Sequence, residues 1–261
     1  MELKTITKNL SNGVLEIALN RPEVMNAINE EMGNELYHAL KQADLDTGVR
    51  AIVLTGTGRG FCSGQDLGSD IGSLEHLSLT DIVRDRYNAL IAKMISLRVP
   101  LIAAVNGMAA GAGLGLALAC DLRLASADAQ FTVAFNKIGL VPDSGVSYFL
   151  PRLIGLGKAV ELTWTSDKIS AEEAKQMGIV NQVYATDDFR NSVHQFAEYL
   201  ASGPVNAFAM TKQLMTKNLE SSVPQALENE AKFQGQAGQS DEFREGVAAF
   251  REKRRAEFWK S

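Results

Sequence analysis

Cysteine is scarce in this 261-residue chain, which has only Cys62 and Cys120. Two such residues make no disulfide framework and fit a reducing compartment. Histidine is nearly as scarce. His38, His76 and His194 lie far apart, and none has a cysteine or second histidine at metal-ligand spacing. Excess positive charge is missing too. With 26 Lys and Arg against 31 Asp and Glu, the net charge is −5, which gives no electrostatic argument for nucleic acid or an anionic membrane. No stripe of interleaved aromatic and basic residues offers a stacking platform for bases. No apolar run reaches the roughly 18 residues of a membrane helix, and Met1-Glu-Leu-Lys4 lacks a secretory pattern. The expectation is a cytoplasmic protein with no nucleic-acid or membrane partner and no metal. Apolar residues, at 46%, suffice for the core of one large domain or one domain with an appendage.

Along the chain, strand and helix patterns alternate. Val14–Leu19 alternates like a strand, and Asn20-Arg-Pro-Glu23 ends it with turn chemistry. Asn26–Ala43 places Ile28, Met32, Leu36, Ala39, Leu40 and Ala43 on one helical face. Val49–Thr55 and Pro100–Val105 are continuous apolar runs, as in strands buried on both sides. Leu77–Leu97 is a second long amphipathic pattern. Such alternation predicts an α/β fold with crossover connections. From about Gly155 helical patterns dominate, broken by Gly178–Tyr184, and Val205–Trp259 reads as wholly helical with Pro204 and Pro224 near helix starts. The basic run Arg251–Arg255 reads as a solvated helix face.

Three sets of residues carry candidate chemistry, the first of them a pair of small-residue turns. Asn106–Gly115 follows a buried strand, consists only of Gly and Ala between Ala109 and Gly113, and leads into the apolar Leu116–Ala119. Minimal side chains let a ligand approach the backbone, and a helix start favours negative charge, so this is a candidate anion or oxyanion site. Gly56–Leu67 is a second small-residue turn after a strand. One N–H from each turn could converge on one oxygen; alternatively both are tight turns that need positive φ. Neither Gly56-x-Gly58 nor Gly111-x-Gly113 completes a dinucleotide fingerprint, because Phe61 and Leu116 stand where the third glycine belongs.

The second stretch, Phe131–Gly145, contains Asp143 between Pro142 and Ser144-Gly145. One reading makes Asp143 the N-cap of the following helix. The other makes it a general base whose pKa is lifted by its apolar neighbours Leu140, Val141 and Pro142. The third, Gly203–Lys212 with Phe250–Trp259, is either plain helix packing or a subunit interface that closes a ligand pocket.

In order and spacing, Leu19-Asn-Arg-Pro22, Gly58–Leu67, Pro100–Asp121, Ile138–Gly145 and Ile169–Val180 resemble the crotonase, or enoyl-CoA hydratase/isomerase, superfamily over nearly the whole chain. The resemblance implies a crotonase-like α/β spiral of ββα units over residues 1–200. It also implies a helical trimerisation region over 201–261, an acyl-CoA thioester substrate whose coenzyme A is no separate cofactor, and a homotrimer or dimer of trimers. It places the oxyanion donors on the backbone N–H of Gln65 and Ala112, and substrate contacts at Ser63, Gly64, Asp66, Leu67, Gly111, Gly115 and Phe135. The stabilised anion is then a thioester enolate. The two glutamates with which the family's hydratases activate water fall on Gly115 and Phe135, neither of which can move a proton. Asp143 falls where isomerase-type members carry their acid/base carboxylate, and the motifs resemble most the ring-1,2-epoxyphenylacetyl-CoA isomerases of phenylacetate degradation. A dehalogenase reading fails at Ala92, where that branch needs histidine. The expectation is an acyl-CoA isomerase that shifts a double bond or opens a ring epoxide. The alternatives are a 2-enoyl-CoA hydratase, or an inactive or RNA-binding homologue.

Overall fold

The computed structural model describes residues 3–68 and 78–259. Ten strands form two sheets among these residues. The larger holds β1 (Ile6–Ser11), β2 (Val14–Leu19), β3 (Ala51–Gly56), β5 (Leu101–Val105), β7 (Leu122–Ser126) and β10 (Gln182–Tyr184), in that order. The smaller runs β4 (Gly60–Cys62), β6 (Met108–Ala110), β8 (Gln130–Thr132) and β9 (Ile169–Ser170). Only the β1–β2 and β8–β9 pairs are antiparallel. The pairs β3–β4, β5–β6 and β7–β8 each give one strand to each sheet, which is the repeated unit of the spiral.

The helices are α1 (Glu30–Leu45), α2 (Leu79–Ile82), a π-helical turn at Val83–Asn88, α3 (Ala89–Ser96), α4 (Ala112–Ala119), α5 (Val146–Ile154), α6 (Leu156–Thr165), α7 (Ala171–Met177), α8 (Phe189–Ala201), α9 (Val205–Asn218), α10 (Val223–Ala237) and α11 (Asp241–Glu252). Side chains on β3 alternate between two cores. Ile52 and Leu54 join the main core with Met32, Leu36, Leu40 and Leu116, while Ala51 and Val53 meet Phe189, Val193 and Ala197 of α8. Cover on both faces explains the continuous apolar runs of β3 and β5.

Three expectations need correction. Helix α1 starts at Glu30, capped by Asn29, whose side chain accepts from Met32 N. Asn26 is instead left-handed and buried, its amide donating to the Thr57 and Gly60 carbonyls while its side-chain oxygen accepts from Arg21 N. The long pattern to Ser96 is helical from Leu79, but its middle widens into the π turn; Leu77 lies outside the described residues. The C-terminal region is three helices, and the last ends at Glu252 with Lys253 left-handed. Arg251–Arg255 is therefore not one helix face. Arg254 grips Glu245 and Glu252, and the following chain carries the Trp259 ring back to the Arg50 guanidinium, 5.5 Å from the ring centroid.

Candidate active site

Strands β4 and β6 are parallel neighbours, with Cys62 opposite Ala109. Their carboxyl ends therefore lie side by side, and so do the turns that follow, as at other sheet edges that hold ligands. Gly64 has φ +101, and a Cβ there would stand 3.0 Å from the Ala110 carbonyl oxygen and 3.4 Å from the Ala112 nitrogen. Only glycine satisfies both the positive φ and this approach. Ile28 anchors the first turn: its N–H donates to the Gly64 carbonyl, and its carbonyl accepts from Asp66 N–H. In a parallel bridge the intervening residue points its own N–H and C=O the other way, so the Gln65 N–H is directed away from Ile28. In the second turn, Gly111 leads into α4, and Ala112 is its first residue. First-turn N–H groups have no intrahelical acceptor. The two predicted donors thus sit on abutting turns.

Asp143 lies in the turn that precedes α5. It is not the N-cap of that helix. Gly145 holds that position in left-handed conformation, and Asp143 contributes its main-chain carbonyl, which accepts from Val146 N at 2.9 Å. The side chain is left for other work. It is partly buried and accepts a 2.7 Å hydrogen bond from the Ser144 hydroxyl. Burial raises its pKa above the ordinary carboxylate value, and the Ser144 bond opposes that rise. The shielding does not come from Val141, which is 78% exposed. On its other side the turn presses on α4: a Cβ at Gly115 would lie 2.5 Å from the Ser144 carbonyl oxygen. A longer side chain at 115 is excluded unless the Asp143 turn moves. Phe135 is buried at the start of a short 3₁₀ turn, its ring 4.0 Å from where a Gly111 Cβ would be.

The remaining predicted contact residues border the first turn. The Asp66 carboxylate is paired with Arg21 at 2.7 Å, and Arg21 also donates to the Ala27 carbonyl. The Ser63 hydroxyl donates to the Val24 carbonyl. Asp66 and Ser63 therefore brace the Gly64 turn through their side chains. Leu67 stands at the exposed rim. Sequence reasoning missed Asn26, Ser144 and the buried Tyr87; hydrogen-bonding and burial of this kind depend on which distant segments fold together, and no local pattern announces them. Among the described residues no group of three or more His, Cys, Asp or Glu is placed to hold a metal ion. No helix there is long and apolar enough to cross a membrane.

Comparison with known proteins agrees with this architecture. The enoyl-CoA hydratase/isomerase family model matches residues 9–261. A Rhodobacter capsulatus protein described as a probable enoyl-CoA hydratase is 46% identical, with 99% of each chain covered. The 1,2-epoxyphenylacetyl-CoA isomerase of Escherichia coli is 38% identical over 98% of each chain. The crystal structure of an enoyl-CoA hydratase from Bacillus anthracis, 31% identical, superposes with a TM-score of 0.90 over 98% of this chain and 99% of that one. The chain belongs to the enoyl-CoA hydratase/isomerase family and has the crotonase fold.

Proposed function

We propose that the protein is an acyl-CoA isomerase in which Asp143 moves a proton between two carbons of a thioester enolate. The observation that carries this reading is the contact of Gly115 with Ser144. The space for one water-activating glutamate is filled by the turn that bears Asp143. At the other such position, Phe135 is buried and cannot transfer a proton.

The chemistry follows from the parts. The Gln65 and Ala112 N–H groups donate to the thioester oxygen, making the adjacent C–H more acidic. The Asp143 carboxylate removes a proton from one carbon, leaving an enolate whose negative charge lies on that oxygen. The resulting carboxylic acid returns the proton to a different carbon, and the double bond has shifted with no net change in atoms. Fixed N–H donors need no reorganisation as the charge develops, and removing one typically costs about 3 kcal/mol of transition-state stabilisation. A raised Asp143 pKa suits both halves of the cycle, because the acid and base forms lie closer in energy near neutral pH.

The C-terminal helices from residue 201 serve as an oligomerisation region, giving a homotrimer or dimer of trimers. Supporting this are Phe250, 85% exposed, and the exposed Met215, Leu219 and Phe243, which a lone chain leaves in water.

Wild-type protein offered 3-enoyl-CoA and crotonyl-CoA separately tests the isomerase reading. Faster isomerisation of the first than hydration of the second is expected. Efficient hydration with little isomerisation would replace it with the 2-enoyl-CoA hydratase reading, which the Rhodobacter relative's description favours.

A further inference from the structure

The π-helical turn Val83–Asn88 carries Tyr87, whose side chain is buried to 1% exposure in the core that also holds Cys62, Ala112 and Phe135. Its hydroxyl proton has no acceptor among the described residues, and the Arg86 guanidinium stands close enough to donate to its oxygen. Such a group is uncommon. Burying a donor without an acceptor costs about 1–3 kcal/mol, so it needs a reason. The groups near enough to affect its ionisation are Arg86, Cys62 and Asp143; burial is the largest influence, and it raises the phenol's pKa. Tyr87 therefore shares an electrostatic neighbourhood with Cys62, on the strand that leads to the Gly64 turn, and with Asp143. Arg86 only donates hydrogen bonds, so it leaves the phenol's own proton without an acceptor. The neighbouring chain is irregular as well: a π turn is a costly interruption, and π turns occur often at functional sites.

We infer that Tyr87 is a specificity residue whose hydroxyl donates a hydrogen bond to an oxygen on the acyl group of the substrate, beyond the thioester. The substrate class is then an oxygen-bearing acyl-CoA rather than a plain hydrocarbon chain. This rests on the acyl-CoA site proposed above. A site built to pair a buried donor favours the ligand that completes the pair and penalises the analogue lacking it.

The test is equilibrium binding of unreactive esters, which reads Tyr87 whether or not the protein isomerises anything. Phenylacetyl-CoA is compared with its 2-, 3- and 4-hydroxyphenyl counterparts, on wild type and on Tyr87→Phe. The inference expects at least one hydroxylated ester to bind wild type about tenfold or more tightly than phenylacetyl-CoA, a difference of about 1.4 kcal/mol. Tyr87→Phe should erase that preference and leave phenylacetyl-CoA binding unchanged. Equal binding of all four esters by wild type, or an equal loss for all four in the variant, overturns it. The thermal midpoint of the free variant gives an independent reading. It should change little, because the proton that is removed has no acceptor in the free protein; a fall of several degrees would show that the hydroxyl donates to the protein itself and overturn the inference as well.

Discussion

Gly115 and Ser144 are in contact across the candidate site: a Cβ on the first would lie 2.5 Å from the carbonyl oxygen and 2.7 Å from the Cβ of the second. One packing relationship thus fixes both what is missing and what is present. Helix α4 can approach the Asp143 turn only because residue 115 has no side chain, and that approach brings the turn against the helix that starts at Ala112.

Gly115→Glu therefore should not recreate a hydratase. The added side chain must displace the Ser144 backbone, and overpacking of this kind costs about 1–3 kcal/mol. The thermal midpoint should fall, and crotonyl-CoA hydration should not rise above the wild-type rate. A stable variant with strongly increased hydration would show that the turn yields readily.

Gly64→Ala probes the proposed oxyanion site without touching the proposed acid. At φ +101, with the Ala110 oxygen 3.0 Å from the new Cβ, the turn must shift and carry Gln65 with it. If the shift removes one donor from alignment, kcat should fall about 100- to 1000-fold. Calorimetric binding of a saturated acyl-CoA should change much less. Parallel loss of both would indicate general disruption of the pocket.

The buried Asp143 gives a signed dependence on pH. Its pKa is raised in the folded protein, so folding favours the protonated form. Stability is then lost as pH rises from the unfolded value, about 3.9, through the higher folded value, and the penalty is complete above it. Asp143→Asn should melt higher than wild type at pH 7, with the gap closing as pH is lowered through that window. The acidic limb of wild-type kcat/KM should lie above the ordinary carboxylate range, because the base form is required.

Glu35 behaves in the opposite sense. Burial alone would raise its pKa, but hydrogen bonds from the Thr5 hydroxyl and the Lys4, Thr5 and Ile6 N–H groups outweigh that and hold it low. Its stabilisation is complete above the unfolded pKa and is lost as pH falls through the folded one. Glu35→Ala leaves buried donors at the start of β1 unpaired and should cost about 2–3 kcal/mol in urea titrations at neutral pH. The difference should shrink in acid.

Strands β2, β3 and β5 were legible to within two residues because continuous or alternating apolar runs report burial directly. The start of α1 was less so: Asn26 looks like a helix-start residue, but it spends its amide on the distant Thr57 and Gly60 carbonyls. Asp143 after Pro142 suggested an N-cap; Gly145 in left-handed conformation takes that position and frees the carboxylate. The two abutting small-residue turns at Gly64 and Gly111 were readable because small residues after strands leave a local signature. Tyr87 was not. An apolar-looking position in an amphipathic pattern hides both a widened helical turn and a hydroxyl whose proton has no acceptor, which are properties of the assembled core.

The most direct measurement of the central claim is turnover of a 3-enoyl-CoA by Asp143→Asn, an isosteric change that keeps a polar side chain beside Ser144 while removing the base. The account predicts that isomerisation falls by a factor of about 1000 or more, within the range that proton-transfer groups contribute, while saturated acyl-CoA still binds. Isomerisation at near wild-type rate in this variant would contradict it.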